Sequence, residues 1–361
     1  MKIVHVVEPF ASGIAAFVQS IVQNLRDDYH IVIHGEREYV MSSSEIIKYF
    51  PDDNVQFIRW RSAQRNISLV KDTAALLELC RLLRNLKARD MVDAVHLHSS
   101  KSGFLGRLAC RLMNIPNVIY TPNGAPFLLS NMNAINVLYK LFEKVGSSFG
   151  GKVVCSSQSE REAYRKLGIK ALSINNGIAI HARHSSNDTP PESARFRIIT
   201  CARIVPQKNP ALFNAIATYF KGFDQFEFIW VGDGEERHLL TSPNITVTGW
   251  LKQSEVLQLL NGANLYLSTS QYEGLSFSVL EALSLRKTVL LRDCIGNRDI
   301  VKKGLNGDLF TSAQEAIVKI FQYYNNPAML RVMGEYSGWL CHKEFNVDAT
   351  CSLYRSLYER V

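Results

Sequence analysis

Short runs rich in β-branched residues alternate along the chain with longer stretches whose apolar positions recur at helical spacing. In the first half, KIVHVV, HIVIHG, VQFIRW, DAVHLH, NVIYTP and KVVCSS predict strands. Between them, IAAFVQSIVQNL, TAALLELCRLLRNL, GFLGRLACRLM and INVLYKLFEKV predict helices. Such alternation predicts a parallel sheet with helices on both faces. The pattern lapses at residues 181–194, HARHSSNDTPPESA, which are polar, contain Pro190 and Pro191 and have no periodicity; they read as a linker. It resumes with RIITCAR, FEFIWVG, ITVTG, ANLYLSTS and KTVLLRD. The chain therefore reads as α/β, with two doubly wound domains at 1–180 and 195–335, and a helical segment at 336–361 whose aromatic and leucine positions are available to pack elsewhere.

Two domains suit a length of 361 residues. No apolar run reaches the roughly 18–20 residues a membrane-spanning helix needs, and the apolar opening before Glu8 and Pro9 is too short for a signal peptide. The seven cysteines are odd in number, scattered and in no C-x-x-C pair, which points to reduced thiols and a cytoplasmic setting. His96 and His98 share one face of a strand but have no Cys near them in sequence, so a metal site is not expected there. The net charge of +8 sits almost wholly in residues 1–180, where 22 Lys and Arg oppose 15 Asp and Glu. That bias suits an acidic partner. The charge is diffuse and carries no basic-aromatic recognition motif, which argues against nucleic acid.

Doubly wound sheets bind ligands at the carboxyl ends of their strands, and a cleft between two such domains is the expected site. The candidate residues fall just after strands. In QYEGLSFSVLEAL, Glu273 and Gly274 lie on a loop, Ser276 is placed to cap a helix, and Glu281 lies one to two turns further on. A helix start there would suit a diphosphate, and a carboxylate on either side would suit hydroxyl-rich rings. Glu227 and Glu235 have the same spacing without a glycine-led helix start between them, and read as coincidence. In TCARIVPQKNPALF, Arg203 and Lys208 follow a strand within reach of one diphosphate, with no D-x-D motif anywhere to hold a metal. Ser12 and Gly13 follow the first strand without the full G-x-G-x-x-G fingerprint, and Asn123 and Gly124 follow another, before the apolar stretch NMNAINVLYKLF.

RIVPQKN, VGDGEE, VTGWLKQSEV, YEGLSFSVLEAL and DCIGNRDIVKKGLNGDLF, in that order, resemble the group 1 (family 4) retaining glycosyltransferases of the GT-B fold. FASGIAAFVQSIVQNL, HLHSSKSGFLGRLA, YTPNG, CSSQSERE and INNGI are similar to the same family's first domain, and the closest flavour is the bacterial O-antigen, capsule and exopolysaccharide branch. The resemblance implies two Rossmann-like domains facing each other across a cleft, with the C-terminal helix crossing back to the first. It implies that Arg203 and Lys208 hold the donor diphosphate and that Glu273 contacts the donor sugar. Gly274, Leu275 and Ser276 would present backbone to sugar or phosphates, Glu281 would bind the ribose, and backbone near Leu251 would cradle the base. Gly13 would face the donor, with Ser12 beside it. Asn123 stands where many members have His, and Ser12-Gly13 where Gly-Gly is frequent; Asn positions but cannot titrate.

These readings combine into a retaining glycosyltransferase that uses a nucleotide-diphosphate sugar, UDP favoured, as substrate and needs no metal or cofactor. The acceptor expected is a hydroxyl of a lipid-linked oligosaccharide at the inner face of the cell membrane. The membrane expectation rests on the basic first half, on Lys101, Arg107 and Arg111, and on the apolar lip near Phe127. A nucleotide-sugar epimerase of the same fold and a non-catalytic nucleotide-sugar-binding protein are the alternatives.

Overall fold

The computed structural model describes residues 1–36, 42–51, 53–64, 68–129, 134–179 and 195–359. The expected linker, 181–194, lies outside them. The chain divides into two compact units, Met1–Asn176 with Val347–Val361, and Gly177–Asn346. Of the expected C-terminal segment, residues 336–346 thus belong to the second unit and the remainder to the first.

The first unit runs β1 (Lys2–Val7), α1 (Ser12–Asn24), β2 (Tyr29–His34), α2 (Ser43–Ile47), β3 (Val55–Arg59), α3 (Leu69–Ala88), β4 (Ala94–His98), α4 (Ser100–Leu112), β5 (Val118–Thr121), α5 (Ala134–Ser147), β6 (Lys152–Cys155), α6 (Gln158–Lys166) and β7 (Ala171–Ser173). Its strands are parallel in the order β3-β2-β1-β4-β5-β6-β7. The second unit runs β8 (Phe196–Cys201), α7 (Pro210–Tyr219), β9 (Phe226–Val231), β10 (Ile245–Val247), α8 (Gln253–Asn261), β11 (Leu265–Ser268), α9 (Phe277–Ser284), β12 (Thr288–Arg292), α10 (Asn297–Ile300), β13 (Gly307–Phe310), α11 (Ala313–Tyr324) and α12 (Pro327–Glu344). Its sheet is parallel in the order β10-β9-β8-β11-β12-β13. The last helix, α13 (Val347–Tyr358), packs on α1 within the first unit. Strand order reverses beside β1 in one sheet and beside β8 in the other, so each sheet has a switch point at its centre.

Helix α4 corrects the expectation built on its cations. Lys101 pairs with Asp72 at 2.7 Å, and Arg107 is buried against Glu143. Phe127 is buried too, its ring edge-on to Tyr164. Of the three cations only Arg111 faces outward, with its Nη1 donating to the Ser148 carbonyl. The others serve packing between helices.

The core of the first unit carries a layer of histidines. Parallel register sets His5 beside His96, with His98 two residues on and His30 beside Ile3, so all four point to one face of the sheet. All four are fully buried, under Phe17 of α1 and Tyr354 and Tyr358 of α13. His5 Nδ1 meets His98 Nε2 at 3.2 Å, and His5 Nε2 meets His30 Nδ1 at 3.1 Å. His96 bonds Tyr358 at 2.7 Å and Thr121 at 2.8 Å. Ligand atoms of His5, His96 and His98 lie within 4.8 Å of one another, but the group has no carboxylate and hydrogen bonding occupies every ring nitrogen of the four residues except His98 Nδ1.

Burial holds His5, His96 and His98 neutral, far below the usual imidazole range, and neighbouring imidazoles add to the effect. The unfolded chain takes up protons near pH 6.5 that the fold refuses, so stability is full above that pH and declines below it. Each such histidine should contribute a slope of about 1.4 kcal/mol per pH unit. Hydrogen exchange of the β1 and β4 amides, corrected for intrinsic rates, should therefore show markedly lower protection at pH 5.5 than at pH 7.5; equal protection would contradict this reading of the layer.

Candidate active site

Strands β8 and β11 are neighbours at the switch point of the second sheet, although 65 residues separate the side chains that meet beyond their ends. The loop after β8 carries Arg203 and Lys208; the loop after β11 carries Glu273 and Gly274. Amide side chains sew the two together. Gln207 Nε2 donates to the Tyr272 carbonyl at 2.9 Å, Gln271 Nε2 to Pro206 O at 2.7 Å, and Gln271 N–H to Gln207 O at 2.8 Å. Thr269 donates its hydroxyl to the Lys208 carbonyl at 2.8 Å. Asn209 turns the chain from the first loop into α7 with a left-handed backbone, φ 52°, which Asn tolerates better than most residues.

The result is an ion pair between Lys208 Nζ and Glu273 Oε1 at 2.5 Å, with both side chains largely shielded from solvent. Glu273 is fixed from a third side, its N–H donating to Ile295 O at 3.0 Å. Gly296 makes that approach feasible: a Cβ there would stand 2.7 Å from Gly274 O and 2.8 Å from Glu273 Cβ, and its φ is +87°. On the other side, Gly232 and Gly234 let the β9 loop press against the Arg203 loop, where added Cβ atoms would meet Ala202 O and Ile204 O. Arg203 itself is half-buried.

Helix α9 begins at Phe277 with Ser276 as its N-terminal flanking residue, but the Ser276 side chain makes no capping bond. The expected cap is thus corrected: Ser276 has the extended backbone of an N-cap residue, φ −73°, ψ 119°, but its hydroxyl accepts from no N–H of the first turn. Leu275 is buried in the core beside Val279 and Leu280. Glu281 lies in the second turn of α9, half-buried, and accepts from Gln253 Nε2 at 2.6 Å. Desolvation pushes its carboxyl up to about 7, against the opposing pull of the Gln253 amide. Gln253 opens α8 just after Leu251, which packs on the same core, and an isolated bridge between Gly232 and Gly249 ties this loop to the β9 loop. The second glutamate pair resolves as expected of coincidence: Glu227 bonds Arg197 across β8 and β9 at 3.0 Å.

In the first unit, Ser12 and Gly13 open α1, and Gly13 is exposed. Asn123 has φ 56°, and its amide donates back to Thr121 O at 3.3 Å. Buried Glu160 anchors the same turn, accepting from Gly124 N–H at 2.8 Å. Ser99 after β4 sits at φ 72°, ψ 160°, a region that costs a side chain strain, and donates to Glu8 O at 2.6 Å. Sequence reasoning missed Gln253, Gly296, Glu160 and Ser99. Only Gly296, a glycine following a strand, carried a local signal.

The description "Glycosyl transferase 4-like domain" matches residues 12–175, and "Glycosyl transferases group 1" matches residues 182–338. The UDP-Gal:alpha-D-GlcNAc-diphosphoundecaprenol alpha-1,3-galactosyltransferase of Escherichia coli is 26% identical over 282 residues, covering 72% of this chain and 71% of its own. The alpha-monoglucosyldiacylglycerol synthase of Acholeplasma laidlawii is 23% identical, covering 98% of this chain and 95% of its own. Anabaena Alr3699/HepE, solved in complex with UDP-glucose, superposes over the whole of both chains with a TM-score of 0.79 at 16% identity. At that identity the superposition establishes the GT-B fold alone.

Two outcomes are expected of this geometry. Gly296→Ala should destabilise the protein by roughly 1–3 kcal/mol, read as a lower unfolding midpoint, because the new methyl meets the Glu273 loop at a strained backbone position. Gln253→Leu should raise the Glu281 midpoint above about 7, followed by carboxyl carbon NMR, because the one hydrogen bond favouring the ionised form is lost.

Proposed function

The chain belongs to the group 1 glycosyltransferases, and from that premise we propose that it transfers a sugar from UDP-sugar to a hydroxyl of a lipid-linked oligosaccharide, with retention, in building a bacterial surface polysaccharide. The observation that carries this reading is the shielded Lys208–Glu273 pair at the switch point, with Arg203 on the loop that bears Lys208. In the reaction, the bond between the sugar C1 and the diphosphate oxygen breaks, a bond from C1 to the acceptor oxygen forms, and the acceptor hydroxyl's proton passes to the departing diphosphate. Charge develops on the departing diphosphate. Lys208 supplies a compact positive charge for it and Arg203 a planar fork, in surroundings where water screens little. Glu273 then exchanges part of its contact with Lys208 for hydroxyls of the donor sugar, and Gly274, Leu275 and Ser276 bring backbone close to it. Glu281 accepts from the ribose, with Gln253 yielding one oxygen, and backbone near Leu251 meets the base. Gly13 belongs to donor binding, and Ser12 and Asn123 to the acceptor and sugar-positioning side. Asn123 has no titratable proton, so it orients rather than serves as base. The reading calls for no cofactor or metal.

UDP is favoured because the Escherichia coli relative is named for a UDP-galactose donor and the Anabaena protein was solved with UDP-glucose. A lipid acceptor is favoured because the names of both curated relatives contain a lipid. Among the described residues no helix is long and apolar enough to cross a membrane. The proposed place of action is the cytoplasmic membrane surface, where a lipid-linked acceptor and a nucleotide sugar would meet.

A thermal-shift series with UDP-, GDP- and ADP-sugars should give its largest rise with a UDP-sugar. Lys208→Gln should lower kcat by about 10²–10³, and Glu281→Ala should weaken donor binding by about tenfold. Because an ionised carboxylate accepts from two hydroxyls, donor affinity should fall as pH drops through about 7 and lose that dependence in Glu281→Ala. No shift with any nucleotide sugar, or wild-type kinetics in both variants, would overturn the reading. Donor conversion without acceptor would replace it with the epimerase.

A further inference from the structure

Helix α5 is mounted inside out. Its buried positions are Asn136, Glu143 and Gly146, while Ile135, Val137, Leu138, Leu141 and Val145 are each more than 40% exposed. At about 100° per residue, Val137, Leu138, Leu141 and Val145 fall within one arc of about 100°, opposite Asn136 and Glu143. The setting is enforced from below. Glu143 accepts from Arg107 Nη2 at 3.4 Å and from Tyr120 at 2.8 Å. The Arg107 guanidinium lies 4.4 Å over the Tyr120 ring, and its Nε donates to Gly103 O at 2.9 Å. A Cβ at position 146 would stand 2.5 Å from Arg107 Nη2, so glycine there leaves room for the guanidinium beneath the helix. Asn136 donates to the Leu129 carbonyl at the other end of the helix. Turning the aliphatic arc inward would expose or unpair these groups.

We propose that this arc is a docking surface for an anionic lipid bilayer, lying flat at the interface. Charge selects that occupant over a protein. Between Asp93 and Glu160 the sequence holds six Lys and Arg, of which Lys101 pairs with Asp72 and Arg107 is buried, and a single acid, Glu143, which is buried too. Lys140 and Lys144 border the arc, and Arg111, Lys144 and Lys152 are exposed. No exposed carboxylate opposes an acidic headgroup across this stretch, and aliphatic side chains bordered by lysine are the pattern of an interfacial helix. Leu69 and Val70 open α3, in the helical layer that α3, α4 and α5 share, and are the most exposed large aliphatics among the described residues. The surface would serve the lipid-linked acceptor proposed above, but its evidence is separate from the donor site.

Flotation of the full chain with vesicles of phosphatidylcholine alone or with phosphatidylglycerol tests it. Wild type should float with the anionic vesicles at low salt. The Leu138→Glu/Leu141→Glu variant should lose binding by about tenfold or more, and Lys140→Gln/Lys144→Gln should lose part of it. Both should keep the wild-type melting point and its shift with UDP-sugar, which separates failure here from failure of the donor reading. Wild type that stays with the dense fraction, or a double glutamate variant that floats like wild type, overturns the proposal. So does a wild-type dimer, seen by light scattering, that the glutamates convert to monomer, because a second copy would then cover the arc.

Discussion

A 2.5 Å contact between Lys208 and Glu273 depends on the adjacency of β8 and β11. A parallel sheet that winds both ways from β8 sends its next helices to opposite faces, and the space left beyond the strand ends is where two loops can approach without a helix between them. The chain fills that space with short-range order: amides of Gln207 and Gln271 on facing carbonyls, and glycines at 232, 234 and 296 where neighbouring backbone leaves no room for a methyl. The charged pair is therefore preorganised by its scaffold, and reorganisation on meeting a diphosphate is confined to side chains.

Much of this is legible in the sequence. Strands buried on both faces show as short runs with few polar interruptions, and such runs mark the central strands of both sheets, from IVHVV in β1 to LYL in β11. The edge strands β7 and β13 did not register: one has three half-exposed residues, and the other starts at Gly307. At the site, Arg203, Lys208 and Glu273 could be singled out because each follows a strand in a loop with its own signal, and Glu281 because its helix starts beside such a loop. Gln253 could not, since its bond to Glu281 spans 28 positions and nothing local marks it. The α5 periodicity predicted a helix correctly but not its rotation. An apolar stripe tells which side is greasy; whether that side faces in is decided by what lies beneath, here Arg107.

The two units solve the problem of a unique core differently. The second packs aromatic and aliphatic clusters around its sheet, with rings of Phe220, Phe226 and Phe321 in mutual contact. The first places polar groups in its interior, with the histidine layer on one face and Arg107–Glu143–Tyr120 among the helices of the other. Buried polar groups are costly when left unpaired, so each acts as a check on register and helix orientation that a purely apolar core would lack.

The histidine layer has a direction. A main-chain carbonyl can only accept, so the bond from His30 Nε2 to Leu25 O at 3.1 Å places the hydrogen of a neutral His30 on that nitrogen. His30 Nδ1 must then receive from His5 Nε2, and His5 Nδ1 in turn from His98 Nε2, so the row ends at a bare lone pair on His98 Nδ1. One oxygen at the end of α1 thereby dictates the tautomer of three imidazoles on three strands. Any rearrangement that withdrew that oxygen would let all three hydrogens shift together, giving the sheet a second electronic state with its atoms scarcely moved.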